Sequence, residues 1–363
     1  MLIFNKASLA IRSWQLLILL ITLLFAIPVI TIGSFVFSPS GEVWQHLIDT
    51  VLFEYLTNSL ILMIGVAFGT FSMGIICAWL TSLCVFPGKQ FLSWALLLPL
   101  AMPAYIIAYT YTGMLEFSGP VQTLLRELTG WQYGDYYFPP VRSIWGAICM
   151  LSLVLYPYVY LLARSAFLEQ SVCVIEVSRS LGCSVWRSFF KVALPLARPA
   201  IVAGMSLVLM ETLADYGTVA YFGVSVFTTG IFRTWFGLGD SAAAAKLASL
   251  LLFFVFSLVI VERWSRKQAR YHSTASSYRK LPQYKLRGWK SALAMLACFL
   301  PLLAGFIFPA IQLISWAIET GSEMVDESFL ILIWNSIELA MIAALLAALI
   351  AIVLVYAKRV MSS

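Results

Sequence analysis

The sequence predicts an all-α membrane protein with about eight transmembrane helices. Its 363 residues are 61% hydrophobic and only 11% charged, and their mean hydropathy is +0.92. A soluble globular domain carries roughly 25% charged residues. Crossing a bilayer as a helix takes about 20 mostly apolar residues, and the apolar runs of this chain reach that length.

Eight apolar runs account for these helices, and glycines and prolines indicate where they pack or bend. The second run carries Gly65 and Gly69, a GxxxG spacing that lets another helix approach closely. The third carries Pro99 and Pro103, which remove backbone donors, so we expect that span to be bent or broken. The predicted spans are residues 14–37, 58–86, 91–115, 143–166, 199–222, 242–261, 291–318 and 329–357.

The basic residues predict the orientation of the chain. With the N-terminus in the cytoplasm, all but four of the 23 Lys and Arg residues lie on the cytoplasmic side, as the positive-inside rule requires. The four others are Arg126, Arg142, Arg233 and Lys246. The net charge of +6 therefore indicates membrane topology, and no nucleic-acid partner is expected. The lipid bilayer is the surrounding partner.

The chain is predicted to contain one permease-like half and the start of another. Asn58-Ser59 opens the second span and Asn335-Ser336 opens the eighth, which indicates a parallel repeat of the kind found in transporters. Coincidence between two apolar runs is the alternative. The predicted parts are a first half of six spans (1–262), a basic cytoplasmic linker (263–290) and an incomplete second half of two spans (291–363).

A polar and basic island, residues 169–204, separates the fourth and fifth spans. Gly182 allows a sharp turn between two short helices, the second of which begins at Val185. Leu194-Pro195 is expected to end that second helix before the next span starts. A structured loop on the cytoplasmic side indicates a surface that a partner outside the membrane can grip.

The fifth span contains two carboxylates at helical spacing. Glu211 and Asp215 are four residues apart, hence predicted on one helix face, and Tyr216 follows. Charged groups inside a bilayer usually face the protein interior or a water-filled path, so we expect these residues to line or gate a substrate route for a cation. The alternative is a position near the outer end of the span, wet or paired. Span-three tyrosines that could face the route are Tyr105, Tyr109 and Tyr111.

The sequence excludes several catalytic functions. It has no GxxxxGK(S/T) loop to cradle ATP phosphates. Its two histidines, His46 and His272, lie outside the predicted spans, so a nucleophile–base pair within the membrane is not expected. No Cys/His cluster suggests a zinc site, and the six cysteines form no CxxC pair. A transport function without its own catalysis, cofactor or firm metal site is predicted.

Part of the island carries a recognisable pattern of residues. In order, these are Glu176, Val177, Ser178, Gly182, Val192, Leu194 and Pro195, followed by Pro199 and Gly204. The pattern resembles the EAA loop of ABC-importer inner-membrane permeases, with Val177 and Ser178 standing where the motif has alanines. The resemblance implies a type I-like permease core. It also implies that residues of about 169–198 form the cytoplasmic coupling loop, which docks on a separate ABC ATPase dimer that binds ATP and magnesium.

Three further stretches, residues 98–105, 211–222 and 227–235, resemble the ferric-iron branch of these permeases. That branch consists of fused proteins with two EAA loops, supplied by a periplasmic ferric-binding protein. The resemblance implies a multi-pass protein of the bacterial inner membrane that transports ferric iron. Because only one such loop is present here, a second permease chain or a second copy of this chain is an expected partner.

Other functions stay open at this point. Polyamine, thiamine, phosphonate and sulfate permeases share the same skeleton, so the solute could be one of theirs. An ion-coupled secondary transporter would use Glu211 and Asp215 as proton or cation sites. An inactive, truncated remnant of a permease is the third alternative.

Overall fold

The computed structural model describes residues 2–39, 41–132, 134–169, 185–267, 283–324 and 326–361, and these are almost entirely helical. The helices, in chain order, are α1 (Leu2–Ser34), α2 (Glu42–Thr50), α3 (Leu52–Leu83), α4 (Lys89–Ala95), α5 (Ala104–Leu115), α6 (Pro120–Thr129), α7 (Ile144–Glu169), α8 (Val185–Ser188), α9 (Leu194–Ala214), α10 (Gly217–Tyr221), α11 (Phe227–Phe232), α12 (Ser241–Lys267), α13 (Trp289–Leu302), α14 (Phe308–Met324) and α15 (Glu327–Met361).

Short irregular elements join these helices. The 3-10 turns are Phe35–Phe37 and Leu98–Ala101, and the π-helical turns are Phe189–Ala193, Arg233–Gly237 and Leu303–Ile307. Two short strands, β1 (Cys84–Val85) and β2 (Tyr284–Lys285), pair in parallel. The chain divides into two compact units, Pro39–Leu313 and Met1–Ser38 together with Ile314–Ser363.

The number and type of spans agree with the prediction. Among the described residues, seven helical segments are long and apolar enough to cross a membrane. An eighth span results if Lys89–Ala101 and Ala104–Thr129, which meet at an angle of 89°, cross together. The break lies at Pro99 and Pro103, where the sequence predicts it, because neither proline can donate a helical hydrogen bond.

The core of the larger unit is built around α3 and α7, with α9 packed against both. The predicted GxxxG spacing makes the close approach possible. A Cβ atom added to Gly65 would lie 2.5 Å from the Ile148 side chain, and one added to Gly69 would meet Ser152. In a bilayer no hydrophobic effect drives helices together, so their association depends on van der Waals packing. Small residues strengthen that packing because they let the backbones approach closely.

The strand pair joins the end of α3 to the segment just before α13. Beyond the β1–β2 register, the Leu286 N–H donates to the Val85 carbonyl at 3.0 Å. Helix α13 then packs on α3. The predicted linker includes residues 268–282, which lie outside the described residues, and the division at residues 262 and 290 stays a prediction.

The smaller unit contains α1 and α15, which touch through an edge contact between Trp14 and Tyr356 with ring centroids 5.1 Å apart. In both helices, none of the most apolar stretch is buried. Their apolar surfaces are therefore available to lipid or to another protein chain.

Candidate functional site

The predicted coupling loop is only partly within the described residues. Outside them lie Glu176, Val177, Ser178 and Gly182. Val192, Leu194 and Pro195 are described, and all three are helical. The helix runs without a break from α8 through a π turn into α9, so the prediction that Leu194-Pro195 ends a helix is wrong.

The π turn explains how the helix passes Pro195. Inside an α-helix, proline lacks a donor and its ring clashes with the carbonyl four residues earlier. Here the Leu194 N–H donates to the Phe189 carbonyl, five residues back, which widens the helix directly before the proline. Pro195 follows this wider turn directly, and the helix continues past it into α9.

This continuous helix joins the described end of the predicted coupling loop to the predicted substrate route. From Val185 to Ala214 it has a length of about 45 Å, at roughly 1.5 Å per residue. Glu211 lies in its last turn. A displacement at the Val185 end of this helix can therefore reach Glu211 through one continuous element. The π turn is a point where the helix can bend.

Asp215 does not continue the helix, contrary to the prediction that it shares a helical face with Glu211. Its backbone is extended, with ψ 125°, and α9 ends before it. The reason is local hydrogen bonding, which aspartate favours over the helix interior. The Asp215 carboxylate accepts hydrogen bonds from Thr218 N at 3.0 Å, Thr218 Oγ1 at 2.9 Å and Val219 N at 3.2 Å. It thereby caps α10.

The structure nevertheless brings Glu211, Asp215 and Tyr216 together along one open cleft of about 390 Å³. The remaining walls come from α7 and from the broken third span. They are formed by Leu100, Met102, Pro103, Ala104, Leu151, Val154, Leu155 and Tyr158, together with Ala214. A cleft with apolar walls and two carboxylates at one side can admit a cation.

The polar groups of this cleft are not equivalent. Asp215 is half-buried, and its carboxylate is already occupied by the cap of α10. Tyr216 is stacked on Phe232, with ring centroids 4.0 Å apart. The Glu211 side chain is exposed and makes no hydrogen bond or ion pair to any described residue. Glu211 is therefore the carboxylate that remains available to a ligand.

The three tyrosines of the predicted third span fall into two groups by their contacts. Tyr105 and Tyr109 make edge contacts with the Tyr221 ring, at centroid distances of 5.4 and 6.1 Å. Tyr111 instead donates to the Ala304 carbonyl at 2.7 Å and belongs to the packing around a π turn. Tyr105 also lies against Gly217, so the tyrosine cluster borders the segment that carries Asp215.

Sequence reasoning missed an ion pair above this tyrosine cluster. Arg142 Nε lies 2.7 Å from Glu116 Oε1, and the Arg142 guanidinium lies 5.1 Å from the centroid of the Tyr221 ring. These residues come from three separate segments, and no local pattern marks them. Among the described residues, no group of three or more His, Cys, Asp and Glu could hold a metal ion.

Comparison with known proteins places these features in a family. Residues 11–270 match the family described as "Binding-protein-dependent transport system inner membrane component". The Fe(3+)-transport system permease protein FbpB 2 of Haemophilus influenzae is 29% identical over 308 residues, covering 84% of this chain and 56% of the relative. The molybdenum transport system permease protein ModB of Escherichia coli is 26% identical over 62% of this chain and 95% of its own length.

The fold also occurs in a solved structure. A bacterial ABC transporter for the import of the polysaccharide alginate matches with a TM-score of 0.53 and 17% identity, covering 72% of this chain and 97% of that chain. The chain spans about half the length of the ferric permeases that it matches. Because the family match covers most of its residues, this multi-pass membrane chain belongs to the inner membrane components of binding-protein-dependent transport systems.

Proposed function

We propose that this chain is the permease subunit of an ABC importer for ferric iron. A periplasmic ferric-binding protein would deliver the iron, and a separate cytoplasmic ATPase dimer would bind ATP and magnesium. The N-terminus would lie in the cytoplasm, as the distribution of Lys and Arg predicts. The permease itself would form no covalent intermediate and catalyse no reaction.

The observation that carries this proposal is the cleft with a Glu211 carboxylate that pairs with no described residue, in a chain similar to ferric permeases. Ferric iron is a hard cation, and oxygen ligands suit it. Carboxylates in a low-dielectric wall attract a cation and repel an oxyanion. Molybdate and sulfate permeases are also related to this chain, and this charge argues against their solutes.

The continuous helix suggests how ATP-driven movement would reach the cleft. Closure of the ATPase dimer would displace the coupling loop, about residues 169–198. The helix from Val185 to Ala214 would carry that movement to Glu211 and open the cleft alternately to each side of the membrane. A complete pathway would require a second permease chain or a second copy of this one.

The proposal is tested by uptake of radiolabelled ferric iron into cells that make this chain with its ATPase and binding protein. Removing the ATPase should abolish uptake, and unchanged uptake would overturn the proposal. Uptake that persists without the ATPase but collapses with an uncoupler would identify a secondary transporter. Faster uptake of labelled molybdate than of iron would assign the chain to the oxyanion permeases.

Glu211→Gln tests the role of the cleft within the same assay. Loss of one charge contact of about 1.4 kcal/mol corresponds to a tenfold weaker interaction, so we expect about a tenfold slower uptake. The amount of protein in the membrane should not change, since the Glu211 side chain makes no hydrogen bond or ion pair to any described residue. Glu127→Gln, an exposed glutamate on α6, is the matched control and should transport normally.

A further inference from the structure

A second cleft, of about 630 Å³, opens beside the β1–β2 pair. It shares no residue with the cleft around Glu211. Its lining combines cationic, amide and aromatic groups, and includes Phe86, Gly88, Lys89, Gln90, Phe91 and Gln283. Lys89 is half-buried, and Phe86 is buried.

Lys89 lines this cleft and lies near a second cation, Arg164, and neither has an acidic partner among the described residues. On α7, the Tyr160 hydroxyl donates to the Ser93 carbonyl of α4 at 2.8 Å. Arg164 lies one turn after Tyr160 and Lys89 one turn before Ser93, so the two cations lie on the same side of this contact. The Arg164 Nε atom is buried and has no hydrogen-bond partner in the part of the chain that the structure describes. Among the described residues, neither cation has an ion-pair partner. Partly desolvated cations held side by side are costly, and an anion between them would offset that cost.

The strand pair brings further basic residues to the same place. In the β1–β2 register, Lys285 stands opposite Val85. Val85 precedes Lys89 by four residues. Arg287 follows two residues later, and both of these basic side chains are exposed. The fold therefore concentrates positive charge from α4, α7 and the segment before α13 at one edge.

The aromatic neighbours of the cleft indicate an amphiphilic ligand. Phe91 and Trp94 are 51% and 54% exposed and make an edge contact with ring centroids 5.3 Å apart. Exposed aromatic rings beside basic residues are typical of the level of lipid headgroups. A soluble anion would gain nothing from these rings, whereas an acyl chain could lie against them.

We propose that this cleft binds the phosphate of an anionic phospholipid, with Lys89 and Arg164 as the phosphate ligands and Phe91 and Trp94 beside the acyl chains. Juxtamembrane basic clusters attract anionic lipids on the cytoplasmic leaflet, where this edge is predicted to lie. The bound headgroup would also hold the β1–β2 pair together. The site is independent of the transported solute.

Native mass spectrometry of the full-length chain in detergent tests the site. The probes are dioleoyl-phosphatidylglycerol, dioleoyl-phosphatidylcholine and inorganic phosphate, each offered alone. We expect retention of phosphatidylglycerol, and about a twentyfold weaker binding in the double variant Lys89→Gln/Arg164→Gln, since each basic residue contributes several-fold. Lys89→Arg should retain the lipid. Arg233→Gln, an exposed cation in an external loop, should bind like the parent chain.

Each other outcome would overturn the proposal. Equal retention of phosphatidylcholine would mean that the headgroup charge is not recognised. Retention of inorganic phosphate together with loss of phosphatidylglycerol would assign the site to a free anion. Unchanged lipid binding in the double variant, with loss of ATPase association, would assign the two cations to a protein contact. Size-exclusion profiles that match the parent chain confirm that each variant is folded.

Discussion

Helices α3 and α15 carry the same Asn-Ser pair near their N-terminal ends but differ completely in their surroundings. In α3, Asn58 Nδ2 donates to the Ser225 carbonyl at 2.9 Å, and the Ser59 hydroxyl accepts from Phe227 N at 3.3 Å. In α15, both residues of the pair are exposed, and the Ser336 hydroxyl donates to a carbonyl of its own helix. The first pair therefore holds the segment around Ser225 against α3, whereas the second makes no hydrogen bond to another described helix or loop.

The contrast teaches that apolar character identifies a span but not its partner. The most apolar stretch of α15 is more apolar than that of α3, yet none of it is buried. Lipid tails are as apolar as leucine, so packing in a membrane depends on small residues and on polar contacts. Helix α3 has three glycines that face α7, namely Gly65, Gly69 and Gly74, whereas α15 has no glycine.

Gly74→Leu should give the largest difference between the two helices. A Cβ atom there would lie 2.8 Å from Val159 Cβ and 3.0 Å from the Tyr160 backbone nitrogen, and the backbone cannot move aside easily. Overpacking of this kind costs about 3 kcal/mol, which should lower the melting temperature in detergent clearly. The measurement is thermal unfolding followed by tryptophan fluorescence.

The matched change in α15 is Ala344→Leu. Ala344 is exposed, so the larger side chain meets detergent or lipid and the melting temperature should not change. Equal destabilisation by both changes would mean that α15 is packed as tightly as α3. No effect of either would show that α3 and α7 are not in contact.

Asn58→Leu should have a smaller effect. It removes the hydrogen bond to the Ser225 carbonyl and leaves that carbonyl without this donor, which costs about 1–2 kcal/mol. Asn335→Leu removes an exposed amide that makes no hydrogen bond to any described residue, and should leave the melting temperature unchanged. A loss of stability in Asn335→Leu alone would reverse the assignment of the two helices.

The spans and the break at Pro99 and Pro103 could be predicted because both depend on local properties. Length and apolarity define a span, and a proline removes its own donor wherever it stands. Pro195 shows where the same local rule fails. The π turn at Phe189–Ala193 lets the helix continue past the proline. No residue type within that turn predicts it from the sequence.

The candidate site was predictable as a set of residues but not as a geometry. Glu211, Asp215 and Tyr216 do line one cleft. A carboxylate within an apolar run is costly in contact with lipid and therefore faces the protein interior or water. Their different roles depend on contacts with Thr218 and Phe232, which the spacing does not specify. The ion pair between Arg142 and Glu116 joins segments that are distant in sequence, so it could be identified only from the structure.

The last test asks whether α13 packs against α3, and it uses two cysteines that the sequence already places on these helices. The Cys77 thiol on α3 donates to the Ala297 carbonyl on α13 at 3.8 Å, directly before Cys298, and both cysteines are fully buried. In a chain with its other cysteines replaced by serine, an apolar oxidant such as iodine should link them. After cleavage at a protease site inserted within residues 268–282, the two fragments should migrate together on a non-reducing gel. Cys298→Ser should release them, and separate fragments in the unmodified pair would place α13 away from α3.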